Sequence, residues 1–366
     1  MLFKSLVKKV SIPADKKTKQ KEYIKSGKLP IIDQGKELIG GYTDNSAMLL
    51  QCDLPVIVFG DHTRNVKFVS FEFGAGADGI KVLRPCDSVL PKYLYYGTQY
   101  LVFRLPDKGY ARHYQHIEKM DLPVPPLEEQ ARIVARIEEL FSQLESGVET
   151  LKQTKEQLAV YRQAVLKEAF SDIGNYTPLS TISDSRLGKM LDKTKNTGTP
   201  REYLRNINVR WLSFDLSDLL EMKIEDNEIE KYSIKKNDLV ICEGGEPGRC
   251  AVWDKDSTIF YQKALHRVRF NVKTNPYFYM YYLWYATQVG LLKKFYTGTG
   301  IKHLTGQSLA KVPVPNIELD TQNHIVNEIE SRLSVCDQIE QTVDAALQQA
   351  EALRQSILKK AFEGGL

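Results

Sequence analysis

Three stretches of this 366-residue chain carry residue types that known chemistry uses, and each can be weighed against its neighbours. Gly74-Ala-Gly76-Ala-Asp-Gly79 has the spacing of a loop that lets backbone approach a dinucleotide pyrophosphate at the start of a helix. Ile80–Pro85 follows instead, a β-type run closed by proline, so a tight turn is expected there and not a cofactor site. Glu221-Met-Lys223 after Asp215 and Asp218 offers the carboxylates and lysine of metal-assisted phosphodiester cleavage. The spacing is too short for paired strands to gather them around a metal, and the first half of the chain lacks the pattern. The six histidines are dispersed, and the five cysteines (Cys52, Cys86, Cys242, Cys250, Cys336) never show C-x-x-C spacing. Neither a zinc site nor a disulfide framework is expected. No catalytic residue and no metal ligand is assigned.

The remaining chemistry suits nucleic acid. Lys16, Lys17, Lys19 and Lys21 crowd one polar stretch, and Lys189, Lys193, Lys195, Arg201 and Arg205 another. Such side chains fit phosphate contacts, which give affinity without sequence information, although surface lysine is often merely solvated. Reading bases needs Arg, Asn, Gln or His on loops that reach groove edges. Candidates are His62, Arg64 and Asn65 in one loop, Arg249 after a Gly-rich turn, and the pairs Arg112/His113 and Lys302/His303. Asn275-Pro276-Tyr277-Phe278 is similar to the N-P-P-Y/F loop that adenine-N6 methyltransferases place around a flipped base. It lacks the second proline, and no Gly-rich cofactor strand precedes it. Asn as N-cap with Pro at the first helical position accounts for the pair. The aromatic run Tyr277 to Tyr285 could stack on single strands, but its spacing favours core packing.

These groups sit in a repeated framework. Residues 161–170 (YRQAVLKEAF) return as residues 353–362 (LRQSILKKAF), 192 positions later. Gln130, Ile133, Val134, Ile137 and Glu138 recur as Gln322, Ile325, Val326, Ile329 and Glu330 at the same offset. Pro123-Val124-Pro125 recurs as Pro313-Val314-Pro315, and Tyr93–Gln99 matches Tyr282–Gln288. Each copy reads as short strands (Pro55–Phe59 and Lys67–Phe71; Asp238–Cys242 and Cys250–Trp253), Gly-rich turns, an aromatic helix opened by Pro91 or Pro276, and a long helix.

In the long helices, Ile137, Leu144, Leu151, Leu158 and Val165 share one heptad position, as do Ile329, Cys336, Val343, Ala350 and Ile357. The companion set is read three residues on: Leu140, Gly147, Thr154 and Tyr161, against Arg332, Ile339, Ala346 and Leu353. Spacer packing is thus assigned to Ile137, Leu144, Leu151, Leu158, Val165, Ile329, Val343, Leu353 and Ile357, in an intramolecular antiparallel coiled coil roughly 65 Å long. The expected fold class is α+β. Two similar mixed α/β domains are joined by two long antiparallel coiled-coil helices with pseudo-two-fold symmetry. The boundaries are 1–125, 126–174, 175–313 and 314–366.

Composition is that of an ordinary globular chain, with 50 Lys+Arg against 46 Asp+Glu and a net charge of +4. The average conceals segregation. Residues 1–125 hold 19 basic and 13 acidic side chains, and residues 175–313 hold 21 and 15. Residues 126–174 hold 6 and 9, and residues 314–366 hold 4 and 9. A polyanion would be drawn to the two basic domains, leaving the acidic rods for protein contacts. No apolar run approaches the ~18 residues of a spanning helix and no leader opens the chain, so a cytoplasmic protein without membrane contact is expected.

With these motifs in view, the chain resembles the specificity subunits of type I restriction-modification enzymes. The resemblance rests on Val124-Pro125-Pro126-Leu127-Glu128-Glu129-Gln130 with Arg162–Phe170, and on Val314-Pro315-Asn316 through Gln322 with Arg354–Phe362. The second copy departs from the pattern, with Asn316 for a proline and two residues inserted before Gln322. The resemblance implies that residues 1–125 and 175–313 are DNA target-recognition domains, each reading half of a bipartite asymmetric site in double-stranded DNA. The helices of 126–174 and 314–366 would act as a ruler. Two methyltransferase subunits, carrying S-adenosylmethionine, would dock on the rods. Restriction subunits using ATP and Mg would join them, this chain being non-catalytic and holding no cofactor. Two alternatives stand beside this: an adenine-specific methyltransferase in its own right, and a coiled-coil linker that binds nucleic acid without sequence preference.

Overall fold

Val56–Phe59 is apolar at every position, a pattern a strand adopts when both of its faces are covered. In the computed structural model, which describes residues 1–77, 79–106, 111–192 and 196–365, that is its situation. The chain divides into two units, Met1–Gln153 with Val343–Leu366, and Thr154–Thr342. Each unit therefore combines one mixed α/β region with a length of both long helices.

In the first unit Val56–Gly60 is an inner strand of an antiparallel sheet ordered Val7–Val10, Ile80–Pro85, Val56–Gly60, Val66–Val69. Ile57 and Phe59 pack toward the first aromatic helix, Pro91–Phe103, while Val56 and Val58 join a second cluster with Ile32, Phe73 and Ala75. The period of two thus supplies both cores from one strand. The second cluster is closed by a sheet ordered Lys17–Thr18, Gly74–Gly76, Leu29–Ile32, Gly41–Thr43. Here the expectation of a turn at Gly74–Gly79 is corrected, because Gly74–Gly76 is a buried strand, paired in parallel with both of its neighbours. Its glycines serve close approach. A Cβ on Gly74 would lie 2.6 Å from Ile31 Cδ1, and one on Gly76 2.7 Å from Asp33 Cβ.

The second unit repeats the plan. Its antiparallel sheet runs Ser183–Leu187, Leu265–Phe270, Leu239–Cys242, Cys250–Val252, with Leu239 and Ile241 in one core and Val240 and Cys242 in the other. A further sheet is ordered Leu220–Ile224, Thr199–Leu204, Ile259–Tyr261, Ser233–Ile234. Its Ile259–Tyr261 holds the chain position that Gly74–Gly76 holds in the first unit. The second aromatic helix is Pro276–Gln288, capped by Asn275, whose side chain accepts from Tyr277 N at 3.0 Å. That capping role, with Tyr279 to Tyr282 buried, is where the Asn-Pro-Tyr-Phe stretch is used.

The long helices span Leu127–Phe170 (44 residues) and Leu319–Glu363 (45 residues) and pair antiparallel. In the second unit Arg162 meets Asp337 and Glu340 while Glu168 meets Arg332. Ile137, Leu158, Val165, Ile329, Val343 and Ile357 are buried at the seam, and Leu144 and Leu151 half-buried. The companion set needs correction. Leu353 is 51% exposed, and Tyr161 and Ile339 are exposed as well. The seam instead takes the residue four on: Phe141, Val148, Arg162 and Ala169 from the first helix, and Leu333, Glu340, Leu347, Arg354 and Ala361 from the second. Spacings of three and four both sum to a heptad, so the first set is compatible with either phase.

The repeated phenylalanines close each unit. Phe170 packs on Phe278 (5.5 Å), Tyr282 (5.6 Å) and Tyr285 (5.6 Å, stacked) of the second aromatic helix. Phe362 packs on Tyr93 (5.0 Å) and Tyr100 (5.3 Å, stacked) of the first.

Candidate nucleic-acid interface

Basic and histidine side chains gather in each unit at the turn that follows Val56–Gly60 or Leu239–Cys242, inner strands of the two antiparallel sheets. In the first unit that turn is residues 61–65. Arg64 lies in the left-handed region (φ +62°), a conformation that side chains other than glycine adopt at a cost. Its Nε donates to Nε2 of the buried His113 at 3.2 Å. Buried Asp61 clamps the partner segment, its carboxylate accepting from Tyr114 N (2.8 Å) and its carbonyl from His113 N (2.9 Å). Asn65 Nδ2 donates to Gln34 O at 2.9 Å, and half-buried His62 shares the turn. The structure thus brings together His62, Arg64, Asn65 and Arg112/His113, with Arg112 exposed beside them. Lys17, in the strand Lys17–Thr18, and Lys19 just beyond it are exposed. Lys17 lines a cleft of about 300 Å³ with Lys9, Lys81 and the backbone of Gly76 and Gly79.

In the second unit the corresponding turn is residues 243–249. Leu304 N donates to Glu243 O (2.7 Å), and the ring of the buried His266 lies 2.9 Å from Leu304 O. These contacts hold Lys302/His303 against the turn, and a Cβ on Gly244 would lie 3.0 Å from His303 Nδ1. Burial lowers the His266 pKa below its usual value. Both basic-then-His pairs therefore lie beside the equivalent turn but one residue out of step, the matching backbone bond coming from the buried His113 in one unit and from Leu304 in the other, where His303 is exposed.

Other candidates have internal duties. Arg249 keeps only 15% of its side chain exposed, donating to Asn206 Oδ1 (2.7 Å), Asn206 O (3.0 Å) and Glu246 (3.0 Å), so it anchors the turn. Arg205 donates to Asp218 O and Oδ2, both at 2.7 Å, which also removes Asp218 from the nuclease pattern. Arg201 stacks over Phe260 (5.6 Å). Lys189 is buried between Glu225 and Glu228 and is no free phosphate ligand. Lys193 and Lys195 lie outside the described residues. Among the described residues no group of three His, Cys, Asp or Glu is placed to hold a metal ion. No helix among them is long and apolar enough to cross a membrane.

Two glutamines that recur in the repeat carry the junction between the aromatic helices and the long helices. Gln130 is fully buried. Its Oε1 accepts from Leu90 N (2.8 Å) at the start of the first aromatic helix, and its Nε2 donates to Ser88 O (3.0 Å) and Pro125 O (2.8 Å). Gln322 repeats this, accepting from Asn275 N (2.9 Å) and Thr274 Oγ1 (2.7 Å) and donating to Ile317 O (2.9 Å). Tyr93 and Tyr282 add matching bonds to Pro123 O (3.0 Å) and Pro313 O (2.9 Å). Burial pushes the Tyr93 phenol up to about 12, keeping it a neutral donor. The signal was present in the recurrence of Gln at one offset.

In each of two like units a basic-then-His pair thus lies beside the turn after an inner strand, and a buried glutamine ties an aromatic helix to a long helix. Residues 181–349 match the family described as Type I restriction modification DNA specificity domain. The chain is 28% identical over 280 residues to the type I restriction enzyme EcoBI specificity subunit of Escherichia coli, covering 67% of this chain and 58% of that protein. It is 25% identical over 269 residues to the EcoKI specificity subunit of Escherichia coli (strain K12), covering 68% and 58%. The match thus spans less than two thirds of these relatives' own length. Among solved structures it is similar to a chain from a study of complex assembly and conformational transition of the type I R-M system. That likeness has TM-score 0.73 and 16% identity, covering 100% of this chain and 97% of that one. It is also similar to the HsdS subunit from Thermoanaerobacter tengcongensis, with TM-score 0.58, 16% identity and coverage of 100% and 96%. At that identity the structural likenesses establish the fold. The family resemblance drawn from the repeat and its flanking motifs is borne out.

Proposed function

We propose that this chain is the DNA-specificity subunit of a type I restriction-modification complex. Each unit reads one half of a bipartite, asymmetric site in double-stranded DNA, and the paired long helices set the unread gap. The observation that carries this reading is the placement of Arg112/His113 and Lys302/His303 beside equivalent turns of the two units. The exposed cations, Arg112, Lys17, Lys19 and Lys302 among them, would supply phosphate contacts, and the turns the base readout. The chain itself performs no catalysis in this reading. Two methyltransferase subunits with S-adenosylmethionine would dock on the acidic helices, restriction subunits would use ATP and Mg, and the assembly would work in the cytoplasm.

Footprinting of the chain with its methyltransferase partner on random duplex DNA tests the reading. Two short protected blocks separated by an unprotected gap are expected. Uniform, purely salt-dependent protection would identify a nonspecific linker instead, and methyl transfer by the isolated chain would make it an enzyme.

A further inference from the structure

Two exposed isoleucines adjoin the turn 243–249 of the second unit, each on a short segment whose backbone is tied down. Ile301 keeps 73% of its surface exposed, more than any other large apolar side chain among the described residues. Its loop is closed at the base, Thr297 N donating to His303 O (2.8 Å) and His303 N to Thr297 O (2.9 Å). Lys302 Nζ donates across the loop to Gly298 O at 2.8 Å. Gly298 has φ +93°, and a Cβ there would lie 2.3 Å from Ile301 O, so the loop folds on itself at a position that favours glycine. Ile207 is 51% exposed in the single turn Asn206–Asn208, where Asn208 Oδ1 accepts from Arg205 N at 2.9 Å. Both segments lean on Gly244: Asn206 Nδ2 donates to its carbonyl (2.7 Å), and a Cβ on it would lie 3.0 Å from His303 Nδ1.

Neither isoleucine belongs to a hydrophobic cluster of its unit. A lone exposed apolar side chain is ordinary on a protein surface. Here two are held on fixed segments against one glycine of a proposed reading turn. Within that turn Arg249 is engaged with Asn206 and Glu246 with Trp211, so the segments beside it are placed to supply part of the readout. Telling all four base pairs apart requires the major groove, and the apolar group that base edges present there is the C5-methyl of thymine. An isoleucine already exposed on a closed loop buries that methyl without a prior rearrangement of the protein.

We propose that Ile301 and Ile207 are specificity-determining residues that contact thymine C5-methyl groups in the half-site read by the second unit. This rests on the proposed reading of a bipartite site. The chain with its methyltransferase partner is footprinted to locate the half-sites, and each thymine in them is then replaced singly by deoxyuridine, which lacks only the methyl group. Deoxyuridine is expected to weaken wild-type binding about fourfold at one position or more of one half-site, the worth of one buried methyl. In Ile207→Ala/Ile301→Ala the thymine and deoxyuridine duplexes of that half-site are expected to bind equally, with the response of the other half-site unchanged. Both side chains are exposed, so the double variant is expected to keep the wild-type thermal midpoint. A single variant that keeps the full deoxyuridine effect removes its own residue from the inference. An effect that survives in the double variant, or a half-site without thymine on either strand, overturns the inference. A wild-type footprint without two protected blocks overturns it together with the bipartite reading, whereas two blocks with no deoxyuridine effect remove the inference alone.

Discussion

Replacing Gln130 by Met removes a buried amide while nearly preserving its volume. Its three hydrogen bonds, at 2.8, 3.0 and 2.8 Å, would be lost together. Ser88 is exposed, so its freed carbonyl can be hydrated. Leu90 N and Pro125 O are in half-buried residues and would be stranded. Each stranded group costs about 1–3 kcal/mol, so the variant should lose about 2–6 kcal/mol, with ~3 as the working value. For a unit of this size that corresponds to a fall in midpoint of roughly 6–12 °C. Hydrogen exchange locates the effect. Amides of Pro91–Phe103 should lose protection while those of Pro276–Gln288, held by the intact Gln322, keep theirs. Gln322→Met should reverse the pattern. A midpoint lowered by less than about 2 °C with protection of the first aromatic helix unchanged would refute the assignment of Gln130 as the lock.

Phe170→Ala, which empties a cluster of three aromatic contacts, should cost about 3–5 kcal/mol by denaturant unfolding, and an effect below about 1 kcal/mol would deny that the repeated Phe closes the unit. Adding a Cβ at Gly76 should destabilise the first unit, because Asp33 Cβ and Tyr23 OH lie 2.7 and 2.8 Å from where it would stand; a neutral Gly76→Ala would return the segment to a turn. His266 titrates below its usual 6.5 because of burial, so the folded unit binds fewer protons than the unfolded chain there. Its stabilising contribution is full above pH 6.5 and is lost as pH falls through that value toward the lowered one, and His266→Asn should flatten the wild-type slope in that window. Arg112→Ala should weaken binding to all duplexes alike and reduce the salt slope by about one, and a loss confined to one sequence would make Arg112 a base reader instead.

What could be read from the sequence follows how each residue's type relates to its duty. Val56–Phe59 and Leu239–Cys242 are legible as strands because every residue is apolar, and both faces prove to be covered. The aromatic helices are legible from Pro91 and Asn275-Pro276, whose local geometry matches their type. Gly74–Gly76 misleads because glycine ordinarily signals a turn, and only the nearness of Ile31 and Asp33 shows why a strand needs it. The seam misleads at Arg162 and Arg354 for the converse reason. Arginine reads as surface, so the phase of the companion positions shifts to the apolar Leu353 and Tyr161, which stand exposed. At the site, the recurrence of basic-then-His at residues 112–113 and 302–303 was legible, while its placement beside a turn and the engagement of Arg205 and Arg249 with Asp218 and Asn206 depend on contacts remote in sequence.

The repeat is itself uneven in an informative way. Gln130 and Gln322, Tyr93 and Tyr282, Phe362 and Phe170, and the seam arginines recur in type and in contact, and all of them hold helices to one another or to their unit. The turns do not recur in type: residues 61–65 read Asp-His-Thr-Arg-Asn, and residues 243–249 read Glu-Gly-Gly-Glu-Pro-Gly-Arg. Arg and Asn donors suit acceptor-bearing base edges, whereas Glu suits the amino group of cytosine. A scaffold must present two half-sites in equivalent fashion, but reading an asymmetric site requires that the two readers differ. If the chain reads such a site as proposed, its residues divide along that line. The symmetric requirement falls on buried polar locks and aromatic closures, where substitution strands a hydrogen bond or opens a cavity. The asymmetric requirement falls on turns whose anchors, Asp61 and Gln34 in one unit and His266 and Asn206 in the other, lie behind them.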